Sequence, residues 1–212
     1  MSRPVLSLHD CVDEQGDLLA CANQQGIRIF DGPTLTHLRT VTTNCSQIPS
    51  LCFLSNSLLA SGAGSPPFSI TQTDLRAPLS PVRTLSAHRG PVASLSCAPV
   101  GAPCAGGTDN GQQLASGGLD KALLVWDARG GSGQEGRRPS LKLDGQRGPV
   151  LATAWSSHQR GVLASCGAEH ATQLSVWDTK LAPKGTEPVT SAKSDTTVSY
   201  QVPSLFISVF RG

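Results

Sequence analysis

The order of apolar and polar residues along the chain predicts short strands joined by tight turns. In four places a short apolar run leads through a turn-forming stretch into a second apolar run. The first runs begin at Leu18, Leu58, Leu114 and Val162, and the second at Ile27, Phe68, Leu123 and Leu174. Apolar runs of this length, bounded by Gly, Pro or Asn, are typical of hairpin strands. The pattern therefore predicts four hairpins.

The four hairpins belong to an internal repeat. Each first run contains an Ala at the same place, namely Ala20, Ala60, Ala115 and Ala164. The steps between these alanines are 40, 55 and 49 residues. Gly-rich insertions at 101–111 and 130–138 account for the longer steps, since surface loops tolerate insertions at little cost. One unit of supersecondary structure is thus expected to occur four times.

A further strand is predicted ahead of each of the last two hairpins. The tetrapeptide RGPV occurs at 89–92 and again at 147–150, followed by ASLSCAP and LATAWSS. Both of these following segments alternate between apolar and polar residues, as half-buried strands do. The repeat therefore holds more than one hairpin, and the expected fold class is all-β.

Composition agrees with this class and limits the function. The 212 residues include 22 Gly and 15 Pro, a density of turn formers typical of sandwiches, barrels and propellers. A net charge of +2 does not favour a nucleic-acid partner or a membrane surface. The chain shows no apolar run of membrane-spanning length and no secretory signal. The seven cysteines are then expected to be reduced, in the cytoplasm or nucleus.

The repeat resembles that of the WD40 family, whose unit of about 40–45 residues forms one four-stranded propeller blade with Gly-His near its start and Trp-Asp near its end. Residues 88–129 match well, with Ala87 in place of the Gly, and residues 146–180 match moderately. The first two copies carry Phe30 and Thr73 where Trp would stand. The resemblance implies a WD40-type β-propeller, partial or truncated, with about four four-stranded blades over residues 1–180.

The resemblance also implies a buried hydrogen-bonded network in the third copy. Its members would be His88, Ser116, Asp120 and Trp126, because an indole N–H buried in a core needs an acceptor. The fourth copy keeps Ser165 and Trp177 but has Gln146 in place of the His. Its Asp position falls on Glu169 or Ala171, depending on the direction of counting. We expect the fourth network to be incomplete and its blade less rigid.

Residues 181–212 are predicted to be a tail outside the repeats. The part up to about Thr197 is polar and linker-like, whereas 205–210 has a strand-like pattern. That segment is either the divergent end of an incomplete product or a strand that pairs with an exposed edge. Four repeats fall short of the six to eight blades that the family most often has. The chain is then a fragment, half of a ring completed by another chain, or an open arc.

Motifs for catalysis are lacking in the sequence. It contains no GxSxG, HExxH or GxxxxGK[ST], so we predict no enzyme, cofactor or metal site. In His9-Asp10-Cys11, the Asp would lie on the opposite strand face from the other two and could not orient the imidazole. A basic cluster between Arg129 and Arg147 is interpreted as a solvated loop. Without aromatic residues it does not favour RNA.

One motif points to a partner. LASGGLDKALLVWDAR, residues 114–129, resembles the box found in WD40 substrate receptors of cullin-RING ubiquitin ligases, where the closing Trp-Asp-x-Arg docks on a propeller adaptor. This resemblance implies partner contacts by Asp127 and Arg129. The fourth copy offers Asp178 and Lys180, a weaker match because Lys lacks the planar fork of Arg.

Three functions follow from these observations. The first is a non-catalytic protein-interaction scaffold. The second is a substrate receptor that docks on a cullin-RING ligase adaptor through residues 114–129. The third is a truncated product or an RNA-associated assembly factor. All three place the chemistry of the protein in its contacts with other proteins or assemblies rather than in catalysis.

Overall fold

The structure is a computed structural model of the chain. It describes residues 9–12, 17–23, 26–43, 45–76, 81–99, 113–128, 137–144, 146–167, 172–180 and 190–194. These residues contain sixteen strands in four sheets of four strands each.

The strands follow the chain in order, four to a sheet. The first sheet contains β1 (His9–Val12), β2 (Leu18–Asn23), β3 (Gly26–Asp31) and β4 (His37–Val41). The second contains β5 (Ser50–Ser55), β6 (Leu58–Gly62), β7 (Ile70–Asp74) and β8 (Pro81–Leu85). The third contains β9 (Val92–Cys97), β10 (Gln113–Gly118), β11 (Leu123–Asp127) and β12 (Leu141–Leu143). The fourth contains β13 (Val150–Trp155), β14 (Val162–Gly167), β15 (Thr172–Asp178) and β16 (Thr190–Ser194).

Each sheet is an antiparallel meander, because strands adjacent in the chain are hydrogen-bonded neighbours. The predicted hairpins are the two middle strands of each sheet. Their registers are equivalent: Ala20 pairs with Ile29, Ala115 with Val125, and Ala164 with Val176. The prediction of an all-β fold with four four-stranded units is confirmed.

The chain divides into two compact units, residues 1–92 and 93–212. In the first unit the core lies between the first two sheets. The first sheet contributes Ala20, Ile27 and Ile29 from its two middle strands, and the second contributes Phe53 and Leu59. Burial of this apolar area is the main source of stability in such a unit.

In the second unit the core lies between the third and fourth sheets. Leu123 and Val125 of β11 pack with Leu163 and Trp177 of the fourth sheet. The side chain between them, Leu124, points to the opposite face of β11 and is buried as well. Both faces of β11 are therefore covered, as packing between blades requires.

Close approach of successive sheets depends on glycine at one position of the second strand. A Cβ on Gly117 would lie 2.5 Å from Val150 Cγ1 and 2.7 Å from Ser94 Oγ. A Cβ on Gly62 would lie 2.8 Å from Val92 Cγ1. The missing side chain thus leaves room for the Val of each RGPV motif to pack against the preceding sheet.

The tail differs from its prediction. Residues up to about Thr197 are predicted to be linker-like, but Thr190–Ser194 form β16, which pairs with β15 along its whole length. The fourth repeat therefore extends beyond residue 180. The sequence TSAKS has no apolar alternation, and its strand forms through backbone hydrogen bonds available to any residue type. The predicted terminal strand at 205–210 lies outside the described residues.

Candidate interaction site

The motif at 114–129 forms the middle hairpin of the third sheet. Leu114 pairs with Trp126 and Ser116 with Leu124, and the tight turn between β10 and β11 places Lys121 at a positive φ of 66°. The described part of this hairpin ends at Ala128, so Arg129 lies outside it. Its preceding neighbour Asp127 ends β11 and is exposed.

Inside this hairpin, the Trp126 indole Nε1 donates a hydrogen bond to Ser116 Oγ over 2.8 Å. Both side chains are fully buried. The carboxylate of Asp120 accepts a hydrogen bond from the Ala122 backbone N–H at 3.2 Å, which holds the turn. Ser116, Asp120 and Trp126 therefore stabilise the hairpin through these hydrogen bonds.

His88, the predicted fourth member of the network, is buried, with 6% of its surface exposed. It lies in the first compact unit, whereas Ser116, Asp120 and Trp126 lie in the second. Its link to Ser116 therefore stays a prediction.

The fourth sheet builds the same arrangement with a different residue. Trp177 Nε1 donates to Ser165 Oγ over 2.7 Å, and the Gln146 side-chain amide donates to the same oxygen. Gln146 therefore joins the network at the His position, while the expected incompleteness of the network stays a prediction. A glutamine amide carries N–H donors just as an imidazole does, so it replaces the histidine chemically. Glu169 and Ala171 lie outside the described residues.

A second recurring geometry lies just after the third strand of the blade. The carboxylate of Asp74 accepts the Arg76 backbone N–H at 2.9 Å, and the carboxylate of Asp178 accepts the Lys180 backbone N–H at 2.9 Å. The acidic residue of the Asp-x-Arg or Asp-x-Lys ending thus fixes a turn around its own carboxylate. In the second copy the basic side chain also contacts this carboxylate.

Arg76 folds back onto Asp74. Its Nε donates to Oδ1 at 3.2 Å and its Nη2 to Oδ2 at 3.1 Å, the two-pronged contact that a guanidinium makes with a carboxylate. The Arg76 side chain is still 77% exposed. Hydrogen bonds from the Arg76 side chain, and then from its backbone, hold the pKa of Asp74 below its ordinary value. The Asp-x-Arg spacing of residues 74–76 is the sequence signal for this contact, although Thr73 stands where the third copy has Trp.

The other candidate chemistry is sparse in the described part of the chain. It contains no cluster of three or more His, Cys, Asp or Glu residues that could hold a metal ion. Burial raises the pKa of the Cys45 and Cys166 thiols, which lowers their thiolate content. Among the described residues, no helix is long and apolar enough to cross a membrane.

The basic cluster between Arg129 and Arg147 is partly neutralised. Lys142 Nζ lies 2.9 Å from Asp144 Oδ1, with both side chains more than half exposed. Arg137, Arg138 and Arg147 are exposed. An exposed pair of this kind contributes little to stability, as is typical of a solvated surface.

Three features define the class of the molecule as a WD40-type β-propeller. They are the four-stranded meander sheets, the buried Trp–Ser hydrogen bonds of the third and fourth sheets, and the recurring Asp-x-basic turn. The chain belongs to the WD40-repeat proteins. Its similarity to a chain in the crystal structure of the mitotic checkpoint complex shows the same fold, with a TM-score of 0.71 and 24% sequence identity. That match covers 88% of this chain and 51% of the solved chain.

Curated relatives include a WD repeat-containing protein, srw1, of Schizosaccharomyces pombe, 30% identical over 168 residues, or 79% of this chain and 27% of srw1. The B-type cell cycle switch protein ccs52A of Medicago truncatula is 31% identical over 82% of this chain and 34% of its own length. FIZZY-RELATED 2 of Arabidopsis thaliana is 31% identical over 78% of this chain and 30% of its own length. This chain thus spans about a third or less of these relatives. No family model matches it.

Proposed function

We propose that this chain is a non-catalytic protein-interaction scaffold, which binds its partners through the turns that follow the third strand of each blade. The proposal rests on the difference in burial among residues 114–128. Ser116 and Trp126 are buried and bonded to each other, whereas Asp127, at the end of the strand, is exposed. The blade thus buries Ser116 and Trp126 and leaves Asp127 at the surface.

The Asp-x-basic turn supports a role in recognition. In the second blade the turn presents a guanidinium that is held by a carboxylate and is mostly exposed. Pre-ordering of such a side chain lowers the entropy lost when a partner carboxylate or carbonyl binds it. By the same spacing, Asp127 would order Arg129, and Asp178 would order Lys180.

Within this function we propose that Arg129 docks on a propeller adaptor of a cullin-RING ubiquitin ligase. This finer proposal rests on the resemblance of residues 114–129 to the docking box. The curated relatives favour a setting in cell-cycle control, because ccs52A carries the name cell cycle switch protein. The two proposals are compatible, since both describe a protein that brings partners together.

Affinity purification with mass spectrometry tests the docking residue. Arg129→Ala should reduce recovery of the adaptor on the order of tenfold or more, as loss of an interfacial arginine hot spot does. Arg129→Lys should also lose most of the binding, because the planar fork is lost while the charge stays. Arg137→Ala is the matched control: it removes an exposed arginine outside the Asp-x-basic turns, and it should leave adaptor recovery unchanged.

Equal recovery of the adaptor by wild type and Arg129→Ala would reject Arg129 as the docking residue. Recovery of no protein partner at all would reject the scaffold proposal. Cell-cycle regulators recovered with every variant would keep the scaffold and exclude the ligase box as their contact.

A further inference from the structure

Trp155 ends the first strand of the fourth sheet, where that strand contacts the third sheet. Its indole Nε1 donates a hydrogen bond to the Ser96 carbonyl over 3.1 Å, and the side chain packs against the core that contains Leu163 and Trp177. Trp155 is only half-buried, whereas the other two tryptophans, Trp126 and Trp177, are fully buried. An aromatic ring that is fixed by such contacts and still partly exposed offers a partner a preformed apolar contact.

The first strands of the third and fourth sheets run side by side in the same direction. Thr153 Oγ1 donates to Ser94 Oγ over 3.3 Å and accepts from Ser96 Oγ over 3.1 Å. Together with the bond from Trp155 to Ser96, these contacts follow the same order along both strands. First and third strands of an antiparallel meander are parallel to each other, so β9, β11, β13 and β15 all end at one edge of the second unit.

At this edge the turns after β13 and β15 are hydrogen-bonded to each other. The N–H and the hydroxyl of Thr179 both donate to the Gly161 carbonyl, over 2.8 and 2.9 Å. The Ser156 hydroxyl oxygen accepts the backbone N–H groups of His158 and Gln159, over 3.2 and 3.0 Å, which closes the first of these turns. Turns that are ordered in this way lose little conformational entropy when a partner binds.

The same two turns carry more positive than negative charge. Their residues that are charged at neutral pH are Arg160, Asp178 and Lys180. The Asp178 carboxylate accepts the Lys180 backbone N–H at 2.9 Å, and the Lys180 side chain is exposed. A Cβ on Gly161 would lie 3.3 Å from Lys180 Cγ, so the glycine leaves room for the lysine stem. Two cations at the edge that Trp155 also reaches favour an acidic partner with an apolar side chain.

We propose that this edge of the fourth sheet binds an acidic segment of a partner protein. An apolar side chain of the segment packs on Trp155, and its carboxylates pair with Arg160 and Lys180. This partner is one of those that the scaffold proposed above brings together, so the inference rests on that function. A protein segment fits better than RNA, because Trp155 is the one half-exposed aromatic residue in the described part of the second unit. Stacking of successive bases needs several such rings.

Fluorescence anisotropy of labelled peptides mixed with the full 212-residue chain is the direct test. A peptide of repeated Leu-Glu-Glu-Gly units should bind. Peptides of Leu-Lys-Lys-Gly units, which lack acidic charge, and of Ser-Glu-Glu-Gly units, which lack the apolar side chain, should each bind about tenfold more weakly or less. A labelled oligouridine tests RNA and should bind more weakly than the Leu-Glu-Glu-Gly peptide.

A pair of charge reversals locates the contact at this edge. Lys180→Glu should weaken binding of the Leu-Glu-Glu-Gly peptide about tenfold, because it places a like charge against the carboxylates of the peptide. Arg147→Glu is the matched control. It makes the same change in net charge at an exposed residue that precedes β13, at the opposite edge, and it should leave the affinity unchanged. Far-ultraviolet circular dichroism checks that both variants are folded.

Acrylamide quenching of wild type tests the contact at Trp155 without any substitution. Trp126 and Trp177 are at most 1% exposed, so acrylamide should quench mainly Trp155. Most of this quenching should be lost as the Leu-Glu-Glu-Gly peptide saturates the protein, because the peptide covers the exposed part of the ring.

Four results would each overturn the inference. They are no binding of the Leu-Glu-Glu-Gly peptide, equal or tighter binding of a control peptide or the oligouridine, equal effects of Lys180→Glu and Arg147→Glu, and quenching that the peptide does not change. The scaffold proposal would stand in all four cases if wild type still recovers protein partners by affinity purification. Failure of this inference is thus distinguishable from failure of the proposed function.

Discussion

Ser165 is the residue on which the polar interior of the fourth sheet depends. Its hydroxyl oxygen accepts from both Trp177 and Gln146, so one small side chain satisfies a buried indole and holds the segment that leads into β13. A buried donor without an acceptor costs more free energy than a hydrogen bond contributes on average. The interior of this sheet therefore depends on the hydroxyl at position 165.

Ser165→Ala is expected to lower the free energy of unfolding of the second unit by about 1–3 kcal/mol, because the Trp177 N–H loses its buried acceptor. Urea denaturation followed by Trp fluorescence measures this, since all three Trp lie in residues 93–212. Ser175→Ala is the control of opposite sign. Within the described part of the chain the Ser175 hydroxyl is buried without a hydrogen-bond partner, so its removal should leave stability unchanged or raise it. Equal losses for both substitutions would contradict the role given to Ser165.

The Asp74–Arg76 pair predicts a pH dependence at one residue. The pKa of Asp74 is below its ordinary value in the folded chain, chiefly because of the Arg76 side chain. Its small stabilising effect is therefore present above the pKa of the unfolded state and is lost as pH falls through the folded pKa. Arg76→Ala should raise the pKa of Asp74 toward its ordinary value, measured by NMR titration of the carboxyl carbon.

Arg39→Ala is the control for that titration. Arg39 acts on Asp74 only through charge, as the smallest of the causes, and its removal should raise the pKa of Asp74 less than removal of Arg76 does. An Asp74 pKa unaffected by Arg76→Ala would show that the two-pronged contact does not persist in solution.

At the scale of elements, the spacing of successive sheets is limited by the second strand. Gly62 and Gly117 occupy equivalent places, and each receives a Val from the strand that begins the next sheet. The first sheet has Ala22 at this place and the fourth has Cys166. At Gly62 and Gly117 the missing side chain is thus balanced by the Val that packs against it.

Gly117→Ala tests this balance. The added methyl group would lie 2.5 Å from Val150 Cγ1, so the substitution should destabilise the second unit by about 1–3 kcal/mol, as overpacking does. Val150→Ala in the same chain should recover part of that loss, and a double-mutant cycle on urea midpoints measures the coupling. Additive effects of the two substitutions would show that the contact does not set the spacing.

At the scale of the whole molecule, the repeat gives the four blades a similar structure. We therefore expect the residues that differ among the blades to determine the function. The third blade has Trp and an Asp-x-Arg ending, the second has Asp-x-Arg without Trp, and the fourth has Trp with Asp-x-Lys. Recognition is therefore expected to reside in single side chains at the ends of third strands.

The sequence by itself determined the repeat, the fold class and the identity of the hairpins. These follow from local alternation and turn residues, which act through contacts between neighbours in the chain. It also identified Ser116 and Trp126 as residues of the blade interior. Near-identical hairpins at equivalent positions made the pattern readable even where Phe30 and Thr73 replace Trp.

Only the tertiary structure decided the features that depend on backbone pairing or on distant side chains. β16 forms because the edge of β15 offers backbone hydrogen-bonding groups. The sequence of Thr190–Ser194 has no apolar pattern that would predict this strand. Gln146 reaches Ser165 across 19 residues, and Gly117 meets Val150 across the contact of two sheets. Such contacts depend on where the chain returns in space, whereas a linear pattern records only which residues are adjacent.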